Sequence, residues 1–143
     1  MLNFDELMAQ VEVDSDINRM NLETEINRTM NLMSKYLRLN YQYKSAMIKG
    51  ETKLAQLALE RRDFYNGEAD AAAYKAEPWN GIVKNMDHLN KLLDADVKIC
   101  EYRAKVDNAK LLMDICEEMI ISLRYRNNHI NSILEIRKFE AGA

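Results

Sequence analysis

The stretch ICEYRAKVDNAKLLMDICEEMIISLRYRNNHINSIL, residues 99–134, decides the fold class. Ile99, Tyr102, Val106, Ala109, Met113, Cys116, Ile120, Leu123, Asn127, Ile130 and Leu134 follow one another at alternating spacings of three and four residues, without a slip. Such spacing keeps one helix face apolar and reads as a coiled-coil seam. The same pattern also describes the core stripe of an ordinary bundle helix. Leu112, Ile115, Met119 and Ile121 widen the apolar surface beyond a two-stranded seam, which favours contact with several helices. Asn127, polar at a core position, is expected to set register or subunit number at some cost in stability.

Working back from this stretch, Asp94 is a plausible N-cap for the C-terminal helix, and Ile82, Met86, Leu89, Leu92 and Leu93 give the preceding segment a helical pattern. Residues 66–81, NGEADAAAYKAEPWNG, are a polar, small-residue connection with turn signals at both ends, expected to be a mobile loop. Upstream, Asp16 to about Tyr65 reads as one helix, in which Gly50 offers a place to bend. At 1.5 Å per residue that helix would be about 75 Å long, against a radius of gyration of roughly 14 to 15 Å for a globule of this chain length. It must protrude, fold back at Gly50 or pack on other copies. Asn3 can cap a short amphipathic helix through about Val11, followed by an acidic turn from Glu12 to Asp16.

Composition agrees. The chain has 143 residues, 48% of them hydrophobic, with four Gly, one Pro and almost no alternating strand pattern, which predicts an all-α fold. The expected arrangement is a hairpin or bundle of long helices. Residues 1–81 form an N-terminal region with a basic helix over about 16–65 and the loop 66–81, and residues 82–143 form a C-terminal oligomerisation region.

Charge is unevenly distributed. Residues 1–34 carry seven acids against two bases, residues 35–62 carry seven bases against two acids, and residues 63–143 are mildly acidic. Lys35, Arg38, Lys44, Lys49, Lys53, Arg61 and Arg62 are the bases, with Tyr36, Tyr41, Tyr43, Phe64 and Tyr65 interleaved or just beyond. At about 100° per residue, Lys35, Arg38, Gln42, Lys49 and Lys53 share a narrow stripe, while Leu37, Met47, Ile48, Leu54, Leu57 and Tyr65 gather roughly opposite. One face can then be buried while the other offers cations to a polyanion. A solvated helix face is the plainer reading of such a run.

Other chemistry finds no support. Gly occurs only at 50, 67, 81 and 142, so no Gly-rich phosphate loop can be built and nucleotide hydrolysis is not expected. His88 and His129 have no neighbour at metal-ligand spacing, and Cys100 with Cys116 matches no zinc pattern. On one helix these cysteines would lie about 24 Å apart, too far to bridge, and they are expected to be buried, reduced thiols of a cytosolic protein. The opening MLNFDEL lacks the basic and apolar regions of a signal peptide, and no apolar run approaches a membrane span of roughly 20 residues. No metal, cofactor or enzymatic activity is expected.

Several stretches together resemble the UvsY family of recombination mediators of tailed, T-even-like bacteriophages. They are Met33-Ser-Lys-Tyr-Leu37, Arg61-Arg-Asp-Phe-Tyr-Asn-Gly67, Leu93-Asp-Ala-Asp96, Leu111-Leu-Met-Asp-Ile-Cys116 and the ending Arg137-Lys-Phe-Glu-Ala-Gly142. The resemblance implies a non-enzymatic protein of phage recombination, repair and recombination-dependent replication, acting in the cytoplasm of the infected host. Such a mediator binds single-stranded DNA, helps displace the phage single-strand binding protein, and loads and stabilises a RecA-like recombinase. It also implies a homo-oligomeric ring of about six or seven subunits, assembled through the C-terminal region.

The family's DNA-binding element lies in the basic helix ahead of Asp63-Phe-Tyr-Asn-Gly67. Arg61 matches a basic family position, whereas Leu59 or Glu60 stands at a second one. The expected strand contacts are Lys35, Arg38, Lys44, Lys49, Lys53, Arg61 and Arg62 on phosphates, with Tyr43, Phe64 and Tyr65 for base stacking. The expected oligomer contacts are Ile99, Tyr102, Val106, Met113, Cys116, Ile120, Leu123, Asn127, Ile130 and Leu134. The acidic segment from Glu12 to Glu25 is a candidate surface for the recombinase. A coiled-coil scaffold protein without DNA binding, or an adaptor for an acidic tail, fits the same charge pattern.

Overall fold

A computed structural model describes residues 1–142, and every regular element in it is helical. The elements are α1 (Phe4–Ser15), α2 (Leu22–Tyr65), α3 (Ala71–Ala76), α4 (Met86–Asp94) and α5 (Val97–Glu140). α2 and α5 are each 44 residues long. The chain divides into two compact units, one of residues 1–44 with 110–143 and the other of residues 45–109. Both long helices contribute to each unit.

Local chemistry sets the helix ends. Asn3 and Glu6 form a reciprocal capping box, the Asn3 side chain accepting from the Glu6 N–H at 2.9 Å and the Glu6 carboxylate from the Asn3 N–H at 3.0 Å. α1 runs four residues past Val11, and α2 begins at Leu22 rather than Asp16. α2 stops at a Schellman turn, in which the Gly67 N–H donates to Phe64 at 3.2 Å and the Glu68 N–H to Asp63 at 2.8 Å. Gly67 takes a φ of 79° there, a left-handed conformation that favours glycine. The cap of α5 is Asp96 and not Asp94: its carboxylate accepts from the Ile99 N–H at 3.0 Å. Asp94 instead closes α4, where its carbonyl accepts from the thiol of Cys100, which is exposed rather than buried.

In the first unit the core is built from α1, residues 22–44 of α2 and residues 110–140 of α5. Leu7, Leu32, Tyr36, Tyr43, Cys116 and Leu123 are buried, and Leu22, Ile130 and Ile133 form a cluster against which Ile17, Ile26 and Leu134 pack. Polar groups join the layers. Asp14 accepts from Lys35 at 2.6 Å, Tyr36 at 2.9 Å and Arg28 at 3.1 Å. Arg126 pairs with the Glu25 carboxylate and donates to the Glu25 carbonyl at 2.7 Å, while Thr29 donates to Asn127 at 2.8 Å.

The second unit packs residues 45–65 of α2 against α4 and residues 97–109 of α5, with Phe64, Leu89, Ile99 and Val106 buried. α2 continues through Gly50 without a break in the helix. A Cβ at Gly50 would lie 2.8 Å from Val106 Cγ2, so glycine here permits a close approach of the two helices. The connection after α2 is pinned by ring contacts and ion pairs. Tyr74 stacks on Phe64 at 5.0 Å, and Trp79 meets Tyr65 edge-on at 5.0 Å.

Candidate nucleic-acid interface

The helical face that α2 buries is not the one its apolar residues first suggest. Leu32, Tyr36, Tyr43, Arg61 and Phe64 point inward, while Leu37 and Ile48 are about half exposed. Rotating the buried face this way separates the basic residues into two groups.

Five cations remain in solvent. Arg38 and Lys44, with exposed Tyr41 between them, lie in the first unit, and Lys49, Lys53 and Arg62 lie in the second. None of the five takes part in an ion pair among the described residues. Each is a long exposed side chain with no carboxylate at ion-pair distance among the described residues.

The other expected strand contacts are committed to the protein itself, and this corrects their assignment. Lys35 bridges to Asp14. Arg61 is buried, donating through Nε to Asp96 at 2.7 Å and through both terminal nitrogens to Glu77 at 2.9 Å, with its guanidinium 4.1 Å from the Phe64 ring centre. Three of the five guanidinium N–H groups are spent on these carboxylates, and the side chain is buried, so it is not presented to a phosphate in solvent. Tyr43 is buried, donating to the Leu2 carbonyl at 3.0 Å, and Phe64 is closed in by Tyr74 and Tyr65. Tyr65 is half-buried and donates to Asp96 at 2.7 Å.

Two carboxylates anchor this arrangement. Burial pushes Asp96 up, but hydrogen bonds from Tyr65, the Ile99 N–H and Arg61 pull harder and leave it below the ordinary carboxylate range. Asp14 follows the same balance: burial raises it, and Lys35 and Tyr36 outweigh that. Neither residue stands out in the sequence, because an Asp at a helix end looks the same whether it caps, pairs or is solvated. Asp14 and Glu25 are likewise taken up internally, which leaves Glu12, Asp16 and Glu23 as the exposed acids of the segment between Glu12 and Glu25.

The expected oligomer seam also has a different role. Ile99 and Val106 are buried in the second unit, and Met113, Cys116, Ile120, Leu123 and Ile130 in the first, so the unbroken three-and-four pattern is the internal core stripe of α5. Asn127 is held by Thr29 within the chain, Leu134 packs on the Leu22 cluster, and Tyr102 is half-buried. The solvent side of α5 in the first unit bears a second apolar row: Leu111, Ile121, Tyr125, Ile136 and Phe139. At 100° per residue these five fall within a stripe about 80° wide, nearly opposite the core stripe.

Among the described residues no helix is long and apolar enough to cross a membrane, and no group of three or more His, Cys, Asp or Glu is placed to hold a metal ion.

The chain is 22% identical over 141 residues to the recombination protein uvsY of Enterobacteria phage T4, covering 99% of each. Crystal structures of the bacteriophage T4 recombination mediator protein UvsY share the fold: lattice type II has a TM-score of 0.84 at 21% identity, covering 99% of each chain. Lattice type IV has a TM-score of 0.84 at 20% identity, covering 96% of this chain and 99% of the other. The model of the family described as recombination, repair and ssDNA binding protein UvsY matches residues 10–143, and the chain belongs to that family.

Proposed function

We infer that this protein is a recombination mediator that grips single-stranded DNA through the exposed cations of α2. It has no catalytic step of its own. The observation that carries this reading is the set Arg38, Lys44, Lys49, Lys53 and Arg62, five exposed cations concentrated on one helix of an acidic protein, none of them in an ion pair among the described residues. Phosphate neutralisation by such residues is independent of base sequence and strongly dependent on salt. A mediator that must act on any strand needs that property.

Around this grip we place the rest of the function. The protein acts in the cytoplasm of the infected host, helps remove the phage single-strand binding protein, and loads and stabilises a RecA-like recombinase in recombination, repair and recombination-dependent replication. It works as a homo-oligomeric ring of about six or seven subunits, joined through the outward apolar row Leu111, Ile121, Tyr125, Ile136 and Phe139 rather than the buried stripe. A ring multiplies weak sites by effective concentration, so five modest cations per subunit suffice.

The test is a salt titration of binding to a fluorescent poly-dT oligonucleotide, with a duplex of equal length beside it. The expected result is salt-sensitive binding that prefers the single strand. No binding at low salt would leave the cations as a solvated face and favour a coiled-coil scaffold.

A further inference from the structure

The end of α2 and the connection that follows it build an aromatic cleft next to Arg62, the last of that helix's exposed cations. Tyr65, Asn66, Tyr74, Trp79, Gly81 and Ile82 are among the residues that line about 470 Å³, a size common for sites that take small molecules. The three aromatic side chains have their polar atoms satisfied within the protein. The Tyr65 hydroxyl donates to Asp96 at 2.7 Å. The Tyr74 hydroxyl donates to the Phe64 carbonyl at 2.7 Å and accepts from the Ala69 N–H at 3.2 Å, and Trp79 Nε1 donates to the Tyr65 carbonyl at 3.2 Å. What these rings have left for a visitor is carbon surface. Asn66 brings the one amide side chain of the lining.

The charge around the cleft selects the visitor. No Asp or Glu lines it, whereas another cleft on this part of the unit, about 500 Å³, is lined by four acids, Glu60, Asp63, Glu68 and Asp70, against Arg61 and Lys98. Along the chain three exposed cations adjoin the aromatic cleft against one exposed acid: Arg62 lies about one turn before Tyr65 and Asn66, Lys75 follows Tyr74 and Lys84 follows Val83, while Glu68 follows Gly67. Trp79 is half-buried and held in place by Gly81, where a Cβ would come within 2.5 Å of the indole Cζ2 and Cη2. The glycine lets the main chain lie against the ring.

We propose that this cleft receives one base of the bound strand, stacked on Trp79, while Arg62, Lys75 and Lys84 neutralise the flanking phosphates. The inference rests on the single-stranded DNA binding proposed above and adds a stacking site to it. Stacking without hydrogen-bond readout is tolerant of sequence, because every base has a π-face. An apolar side chain of a partner protein would fit the same carbon surface but gives the three cations no role, so the strand is the better occupant.

Trp79 is the only tryptophan of the chain, so its emission reports on the cleft directly. The full chain is titrated with labelled dT oligonucleotide and with an abasic oligonucleotide of equal length, following anisotropy and tryptophan emission together. The expected result is quenching by dT that saturates with the anisotropy, and binding without quenching by the abasic strand. Trp79→Ala should weaken dT binding roughly tenfold or more, Trp79→Phe should restore most of it, and Gly81→Val should weaken it by displacing the ring. Binding with unchanged emission, equal quenching by the abasic strand, or a Trp79→Ala protein that binds like the native one overturns the proposal and leaves the grip of α2 intact. No anisotropy change at all removes DNA binding itself, and the stacking site with it.

Discussion

Arg61 Nε donates to Asp96 Oδ2 at 2.7 Å, joining two side chains that are 7% and 1% exposed. The same carboxylate caps α5 and accepts from Tyr65, so the end of α2 and the start of α5 are fixed by one buried group. A residue that resembles a DNA contact in sequence is thereby a structural clasp.

The first prediction concerns that clasp. Removing one partner of a buried pair leaves the other charge uncompensated, a cost of about 3–5 kcal/mol. Arg61→Ala and Asp96→Ala should each lower stability by that order in urea denaturation. Where either variant still folds, the salt slope of DNA binding should match the native one; a flattened slope for Arg61→Ala would return this residue to the strand site.

Salt dependence separates the exposed cations. Each phosphate contact contributes about 0.7 to the log-log slope for a single strand. Replacing Lys49 and Lys53 with Ala should reduce the slope by roughly 1.4, with unchanged thermal stability. Replacing Lys35, which is bound to Asp14, should change stability more than slope.

The two faces of α5 should respond differently to charge. Leu123→Asp places a carboxylate in the core of the first unit and should abolish folding, seen as lost helical circular dichroism. Tyr125→Asp and Ile136→Asp, at positions 65% and 57% exposed, should keep the helical signal and disperse the oligomer in sedimentation. An assembled Tyr125→Asp, Ile136→Asp double variant would remove the outward row from the subunit interface.

Acid should unfold the protein through Asp14 and Asp96. Both carboxyls lie below their ordinary value of about 3.9 in the folded state. The unfolded chain therefore takes up the proton first as pH falls, so their contribution is complete above about pH 4 and is lost as pH drops through the folded values. Asp14→Asn should be less stable at neutral pH and should show a shallower fall in stability between about pH 4 and 2.

Gly50 gives a packing test. Gly50→Ala gains up to about 1 kcal/mol of helix propensity, but the new methyl meets Val106 at 2.8 Å, and overpacking of this kind costs about 1–3 kcal/mol. A net loss is expected by denaturant titration. Adding Val106→Ala should recover part of it, giving a favourable coupling energy between the two positions.

Helical class, the two long helices, the cap at Asn3 and the turn at Asn66-Gly67 are local properties. Propensity, spacing and turn chemistry act over a few residues, and the sequence by itself determined them. The basic run was legible for the same reason, since charge needs no partner to be counted. Which bases stay free was a different question. Lys35 and Arg61 read like Lys49 and Arg62, and only the folded chain brings Asp14, Glu77 and Asp96 against the first two. The seam at 99–134 shows the same limit: a three-and-four pattern states that a face is buried, not whether the same chain or another copy buries it. Tertiary structure decided that by turning the stripe inward and leaving Leu111, Tyr125 and Phe139 outside. It also gathered Tyr65, Tyr74 and Trp79 from a stretch that reads as a mobile loop, because hydrogen bonds and ring contacts between residues up to 14 positions apart leave no periodic trace in the sequence.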